Sequence, residues 1–196
     1  KRATFLVTTE VEKSEVQNVF GRKTSICIIP NIPYLPKNTR NHTNSGTLKL
    51  VFAARIHPIK NLYLVLQSLL EIRSNISLDI IGVIDDEGYW QKCKSLIKEL
   101  AHVEINYLGS KPHHELMSFL GDYDVYILPT LGENFGHSIF EALSVGLPVI
   151  ISDQTPWRNL EDQQVGFDIG LESPNKFIDA INYFVYLNKA ERNQWR

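Results

Sequence analysis

Short apolar segments alternate with amphipathic segments along the sequence after residue 47, and this alternation limits the fold more than any other feature. The segment at 61–73 places leucine and valine at helical spacing, which predicts a helix with one buried face. The segment at 78–83 is nearly all apolar, as is typical of a parallel strand covered by helices on both sides. The predicted strands are 48–53, 78–83, 105–108, 123–128 and 148–151, and the predicted helices are 61–73, 89–100, 113–120, 138–145 and 174–187. This order predicts an α/β fold with a doubly wound parallel sheet.

The first 47 residues differ from the rest in composition and divide into two parts. Residues 1–30 are expected to form a strand, a helix and a second strand, with Thr9 and Glu12 at the spacing of a capping box. Residues 31–47 are rich in proline, asparagine and threonine and lack periodicity, which is typical of a linker. We therefore expect a domain boundary at this linker and a main domain at 48–196.

The overall composition is that of an ordinary globular protein, with 43% hydrophobic residues and a net charge of −2. Because there is no basic excess, we expect no nucleic-acid partner. Neither Cys27 nor Cys93 has a partner at metal-ligand spacing, and we interpret both as unpaired thiols in a reducing compartment. No apolar run approaches the roughly 18 residues of a transmembrane helix. The chain starts at Lys1 and is expected to be a piece of a longer, cytoplasmic protein.

The loop after the first main strand carries two cations, Arg55 and Lys60. Sheets of this type bind ligands at the carboxyl ends of their strands, so this loop is expected to face a ligand crevice. Arginine offers a planar fork of donors to phosphate oxygens, and lysine offers a compact charge. The pair could neutralise a diphosphate, although two solvated loop cations would give the same pattern.

The loop after the strand at 123–128 carries Glu133 and leads through 134–138 into a helix. The start of such a helix exposes backbone N–H groups and a positive dipole end, which together favour an anion. Glu133 could accept hydrogen bonds from sugar hydroxyls, and Glu141 could bind the diol of a ribose. Glu141 has apolar neighbours that would make an unpaired charge expensive, which favours a functional role for it.

In their order and spacing these motifs resemble glycosyltransferase family 4, the large family of retaining glycosyltransferases also called group 1. The resemblance extends from about Leu48 to the last helix, and residues 1–30 resemble the closing strand, helix and strand of that family's first domain. It rests on Arg55 and Lys60, on Glu133 and Glu141 with Phe135-Gly136 between them, and on the segments 107–109, 123–129, 141–143 and 146–150.

The resemblance implies the GT-B fold, in which two Rossmann-like domains face each other across a cleft. The second domain would bind a UDP-, GDP- or similarly activated sugar. Arg55 and Lys60 would hold the diphosphate and assist catalysis together with Glu133, which would contact the transferred sugar. Glu141 would hold the ribose. The implied donor-binding residues are Arg55, Lys60, Gly109, Ser110, Lys111, Glu133, Asn134, Phe135, Gly136, His137, Ser138 and Glu141.

The resemblance also implies retaining transfer to a glycan or lipid-linked acceptor, with no metal ion and no other cofactor. The acceptor would bind mainly to an N-terminal domain, so this piece alone is expected to be incomplete for catalysis. The parent enzyme is expected to be cytoplasmic and able to dock on the inner face of the cytoplasmic membrane. A nucleotide-sugar epimerase of the same architecture and a non-catalytic nucleotide-binding module remain as alternatives.

Two features depart from the family pattern. The loop at 82–88 is longer and more acidic than the usual glycine-rich turn, and Asn134 stands where glycine is frequent. We interpret the acidic residues as a solvated turn, because carboxylates beside a diphosphate would repel it. Asp85 and Asp86 also suggest a phosphoacceptor signalling domain, which is the weakest alternative. Trp157, after the last strong strand, is interpreted as loop structure.

Overall fold

The structure is a computed structural model, and it describes residues 3–29, 46–192 and 194–195. The linker predicted at 31–47 therefore lies outside the described residues, except for its last two positions. The strands are β1 (Thr4–Val7), β2 (Ser25–Ile28), β3 (Leu48–Ala53), β4 (Ile76–Ile81), β5 (Glu104–Tyr107), β6 (Val125–Leu128), β7 (Val149–Ser152) and β8 (Gly166–Ile169). The helices are α1 (Glu10–Phe20), α2 (Leu62–Leu70), α3 (Glu87–Glu99), α4 (His113–Leu120), α5 (His137–Ser144), α6 (Asn175–Tyr186) and α7 (Lys189–Arg192), with a 3-10 helix at Pro58–Lys60.

Strands β3 to β8 form one parallel sheet in the order β5-β4-β3-β6-β7-β8. The chain moves outward from β3 to β5, crosses back to place β6 on the other side of β3, and then continues to β8. Helix α2 contacts α3 and α6, whereas α4 contacts α5. The prediction of a doubly wound parallel sheet is therefore confirmed, and its strand order reverses between β3 and β6.

Several predicted boundaries differ from the structure by two or three residues, and two of them are examples. The strand predicted at 78–83 ends at Ile81, because Gly82 has a φ of +149° and a Cβ there would lie 1.9 Å from the carbonyl oxygen of Ala54. The helix predicted at 61–73 ends at Leu70, and Ile72 is buried just beyond it. The close approach at Gly82 brings the loops after β3 and β4 together at the carboxyl end of the sheet.

The centre of the sheet is the core of the molecule. Every residue of β6 and β7 is buried, and so are all but one of β3. Burial of an aliphatic or aromatic side chain is worth about 1.5–3 kcal/mol, so this centre is the most stable support available for the loops above it. Tyr126 of β6 is completely buried, which raises the pKa of its hydroxyl well above the usual range. The Tyr126 hydroxyl lies 3.1 Å from the carbonyl oxygen of Ala53 and 2.8 Å from Ser138 Oγ, so it links the ends of β3 and α5.

Residues 3–29 form a separate small unit in which β1 and β2 pair in parallel and α1 connects them. The predicted capping residue is confirmed, because Thr9 Oγ1 accepts from the Glu12 N–H at 3.1 Å. The Glu12 carboxylate in turn accepts from the backbone N–H of Thr8 at 2.6 Å and from its hydroxyl at 2.7 Å, one residue before the position that a capping box uses. Helix α1 contains no buried residue.

Cys27 is exposed and Cys93 is buried, and both are free thiols. Burial raises the pKa of the Cys93 thiol to about 11. Within the described part of the chain, none of the helices has the length and apolar character needed to cross a membrane.

Candidate functional site

The loops after β3 and β6 meet where the strand order reverses, which is the place where open α/β sheets bind ligands. Two hydrogen bonds join these loops at a single carbonyl oxygen. The backbone N–H of Leu131 donates to Ile59 O at 2.7 Å, and the buried hydroxyl of Thr130 donates to the same oxygen at 2.9 Å. The loops after β3 and β6, which carry the predicted motifs, are therefore held together by hydrogen bonds that need no ligand.

Lys60 and Glu133, predicted from separate motifs, form an ion pair across this crevice. Their side chains are only 15% and 14% exposed, so the pair is better shielded from water than an ordinary surface ion pair. Lys60 ends the 3-10 helix that His57 caps, since His57 Nδ1 accepts from the N–H of Ile59 at 3.2 Å. The backbone N–H of Glu133 donates to Gln154 O at 2.9 Å. Both charges thus stand on anchored backbone.

Arg55 lies on the β4 side of the crevice and pairs with Asp85, with 2.6 Å between Nη1 and Oδ2. The acidic loop is exposed, as expected of a turn, but Asp85 is held in an ion pair rather than simply solvated. Asp86 caps α3, because its Oδ1 accepts from the N–H of Tyr89 at 2.8 Å. One carboxylate is therefore paired and the next caps a helix, so neither forms the acidic pocket of a phosphoacceptor domain.

The start of α5 has the geometry that the sequence indicates for an anion site. Gly136 caps the helix with a φ of +78° and contributes no side-chain hydrogen bond. The positive φ favours glycine at this position, and a Cβ there would lie 2.9 Å from Ile139 Cδ1 and 3.3 Å from Trp157 Nε1. Trp157, interpreted from sequence as loop structure, donates from Nε1 to Phe135 O at 2.7 Å and so holds the loop ahead of the helix. Among the residues that the structure describes, no acceptor takes the backbone N–H groups of His137 and Ser138 in the first turn, so both can donate to a ligand or water.

Glu141 lies on α5 with a side chain that is 14% exposed, and its partner is His113 of α4. The Nε2 atom of His113 is 2.8 Å from Glu141 Oε1. The apolar neighbours of Glu141 in the sequence make an unpaired charge expensive, and His113 is the partner that this carboxylate has in the structure. His113 was missed as a site residue because two adjacent histidines give no signal of a contact with another helix.

The stretch Gly109, Ser110 and Lys111 follows β5 at the same end of the sheet, and its contacts are with the loop after β4 and with α4. Gly109 has a φ of +67°, and its carbonyl oxygen accepts from Gly82 N at 2.9 Å. Ser110 is exposed. The ammonium of Lys111 lies 4.4 Å from the ring centroid of Phe119 in α4. The structure therefore places this stretch beside α4, two strands from the point where β3 and β6 separate.

A cleft of about 420 Å³ opens between α1 and the loop ahead of α5. It is lined by residues 132–137 together with Thr8 and Glu12. Asn134 Nδ2 donates to Glu12 Oε1 at 2.7 Å across its mouth. The backbone N–H and hydroxyl of Thr8 lower the pKa of the Glu12 carboxyl, and the Asn134 amide adds to the effect. Glu12 was recognised in the sequence only as a capping residue.

A second cleft, of about 540 Å³, lies next to the first and shares residues 132–134 with it. Its wall includes Val11 and Glu15 of α1 and residues 153–156 after β7. Among the residues that the structure describes, no group of three or more His, Cys, Asp or Glu side chains is arranged to hold a metal ion. The charges available to a ligand here are those of the side chains and of the α5 dipole.

The sequence profile described as "Glycosyl transferases group 1" matches residues 37–196. The chain belongs to this family. A UDP-N-acetylglucosamine–peptide N-acetylglucosaminyltransferase GtfA subunit from Streptococcus pneumoniae is 26% identical over 175 residues, which are 83% of this chain and 33% of the relative. The chain thus spans about a third of the length of this curated relative.

Solved structures of glycosyltransferases share the fold. A sucrose-phosphate synthase from Thermosynechococcus elongatus superposes with a TM-score of 0.82 at 17% identity, covering 98% of this chain and 51% of that one. The pneumococcal O-GlcNAc transferase GtfA, solved with UDP and GlcNAc, superposes with a TM-score of 0.66 at 22% identity, covering 97% of this chain and 38% of that one. The GT-B neighbours confirm that the six-stranded unit has the architecture expected from the sequence.

Proposed function

We propose that this chain is the donor-binding part of a retaining glycosyltransferase that uses a nucleoside-diphosphate sugar. The observation that carries the proposal is the meeting of Lys60, Glu133 and the start of α5 at the point where the strand order reverses. A diphosphate needs cations and N–H donors, and a sugar needs a carboxylate for its hydroxyls. This crevice offers cations, N–H donors and a carboxylate on two loops that are hydrogen-bonded to each other.

In the proposed complex Lys60 and Arg55 bind the diphosphate, and the first turn of α5 donates backbone N–H groups to it. Glu133 accepts hydrogen bonds from the transferred sugar, and Glu141 accepts them from the ribose. Lys60 pairs with Glu133 and Arg55 with Asp85 in the described structure, so both cations would change partners when the donor binds. The GtfA relative solved with UDP and GlcNAc supports UDP as the first nucleotide to test.

In the proposed reaction, the bond between the anomeric carbon and the diphosphate oxygen breaks and its electron pair stays with the diphosphate. Lys60 and Arg55 stabilise the negative charge that develops there, a role that a metal ion fills in other transferases. The acceptor hydroxyl attacks from the face that the leaving group vacates, its proton passes to the departing phosphate, and configuration is retained. We propose that no metal or other cofactor takes part.

The acceptor is proposed to be a glycan or a lipid-linked sugar that enters from the side of residues 3–29. The cleft next to the donor crevice supports this, because Val11 and Glu15 of α1 form one wall of it. An apolar and a carboxylate side chain together suit the ring face and the hydroxyls of a sugar. The parent enzyme is proposed to act in the cytoplasm, at or near the inner membrane face.

The proposal is tested by titrating the chain with UDP, GDP and ADP in a calorimeter. Lys60→Ala is expected to weaken binding of the preferred nucleotide by about 10–150-fold, because a charge-assisted phosphate contact is worth about 1.5–3 kcal/mol. Glu141→Ala is expected to weaken it by about tenfold or more through the ribose. Lys98→Ala, which removes an exposed lysine at the far end of α3, serves as the control. Equal affinities for all four proteins would refute the assignment of the site.

A further inference from the structure

The two proposed phosphate-binding cations have different partners. Lys60 pairs with Glu133, another residue of the donor site. Arg55 pairs instead with Asp85, with 2.6 Å between Nη1 and Oδ2, and Asp85 belongs to the acidic loop that departs from the family pattern. The side chains of Arg55 and Asp85 are 57% and 39% exposed, so a ligand can reach both.

The backbone holds Asp85 beside Arg55. The N–H of Ile56 donates to Val83 O at 2.8 Å, and Ile56 O accepts from the N–H groups of Asp85 at 3.2 Å and Asp86 at 3.1 Å. Ile56 and Ile84 thereby form an isolated parallel bridge beyond the end of β3 and β4, and Ile56 is completely buried. Because Asp86 also caps α3, the chain is anchored on both sides of Asp85. The position of this carboxylate is therefore set by the fold.

We propose that Asp85 competes with the donor diphosphate for Arg55 and thereby limits the affinity of the site for nucleoside diphosphates. This inference rests on the proposed function. While Nη1 of Arg55 donates to Asp85, the guanidinium has fewer N–H groups to offer a phosphate oxygen, and the negative charge of Asp85 also repels the phosphates. Both effects act in the same direction. The product of sugar transfer is a nucleoside diphosphate that keeps both phosphates, so Asp85 shortens its stay in the crevice.

The competition is tested by calorimetry with UDP, GDP and ADP on four variants. Asp85→Asn is expected to bind the preferred diphosphate about 2–5-fold more tightly, the range expected from an exposed ion pair. Glu87→Gln is the matched control, since it removes the same charge two residues away, from a side chain that accepts a hydrogen bond from Gln91 instead of an arginine. Asp85→Asn is also compared in an Arg55→Gln background, where the increase in diphosphate affinity is expected to be smaller than in the wild-type background.

Each of the following three results would overturn the inference that Asp85 competes for Arg55. Weaker binding by Asp85→Asn would overturn the competition and make Asp85 a residue that positions Arg55 for the phosphate. Binding equal to that of Glu87→Gln would mean that only general charge is involved, and would also overturn it. Failure of all three diphosphates to bind any folded variant, as judged by circular dichroism, would instead overturn the proposed function, and the inference with it.

Discussion

Two β-α-β arrangements of this chain, β1-α1-β2 and β3-α2-β4, have the same connectivity but very different burial. In β3-α2-β4 the helix buries five residues, whereas α1 in β1-α1-β2 buries none. Among the exposed large hydrophobic residues of the smaller unit are Leu6, Val11, Val19 and Phe20. A helix and two strands are too few to enclose a core, because no further helix or strand covers their outer faces within the unit. Local propensity and caps therefore shape residues 3–29, whereas tertiary packing stabilises the six-stranded sheet.

The largest expected effect comes from deleting the same side chain in each region. Leu50→Ala in β3 removes a completely buried leucine and is expected to lower the free energy of unfolding by about 2–5 kcal/mol. Leu6→Ala in β1 removes a leucine that is 69% exposed and is expected to change it by about 0.5 kcal/mol or less. Urea denaturation of both variants measures the difference. Equal losses would show that residues 3–29 are packed as tightly as the sheet.

A smaller effect is expected at the glycine that starts α5. Gly136→Ala places a Cβ on a left-handed residue and against Ile139 and Trp157, and is expected to cost about 1–3 kcal/mol of stability. It is also expected to weaken nucleotide binding, because the first turn of α5 must shift. Gly88→Ala in the first turn of α3 is the control, and there the added Cβ meets its nearest atom at 3.4 Å. Unaltered stability and nucleotide affinity in Gly136→Ala would argue against a fixed loop.

The smallest expected effect concerns the contact between the two regions. The pKa of the Glu12 carboxyl is lowered in the folded protein, so its contacts add stability above the unfolded pKa of about 4.3 and lose it as the pH falls through the folded pKa. Protection of the α1 amides against hydrogen exchange is therefore expected to fall more steeply below about pH 4 than in Glu12→Gln. Glu15→Gln, one turn along α1, should behave like the wild type. Identical profiles for all three proteins would contradict the role given to Glu12.

The sequence was sufficient to predict the fold and the strand ends at which the candidate site residues lie, but not the ion pairs that these residues form. Arg55, Lys60 and Glu133 could be placed at strand ends because alternating elements determine where each strand ends. Which of these side chains pair with each other depends on the backbone of the loops, such as the 3-10 helix that ends at Lys60. Asp85 was expected to be solvated, because no local pattern indicates the close approach of two loops that Gly82 permits.

Contacts between elements that are distant in sequence were missed for the same reason. His113 and Glu141 are 28 residues apart and meet only because α4 packs against α5. Glu12 and Asn134 are 122 residues apart. The periodicity of a single element indicates which face is buried, but not which side chain of another helix or loop that face contacts.

The hydrogen bond between Trp157 and Phe135 gives the chain a built-in optical probe. Of the three tryptophans, Trp90 and Trp195 are buried at 6% exposure each, whereas Trp157 is partly exposed beside the loop that leads into α5. Indole emission shifts with the polarity and hydrogen bonding around the ring. Occupation of the crevice would therefore change the emission of Trp157 and leave the other two as a constant background. Ligands can then be screened by fluorescence without labelling the protein.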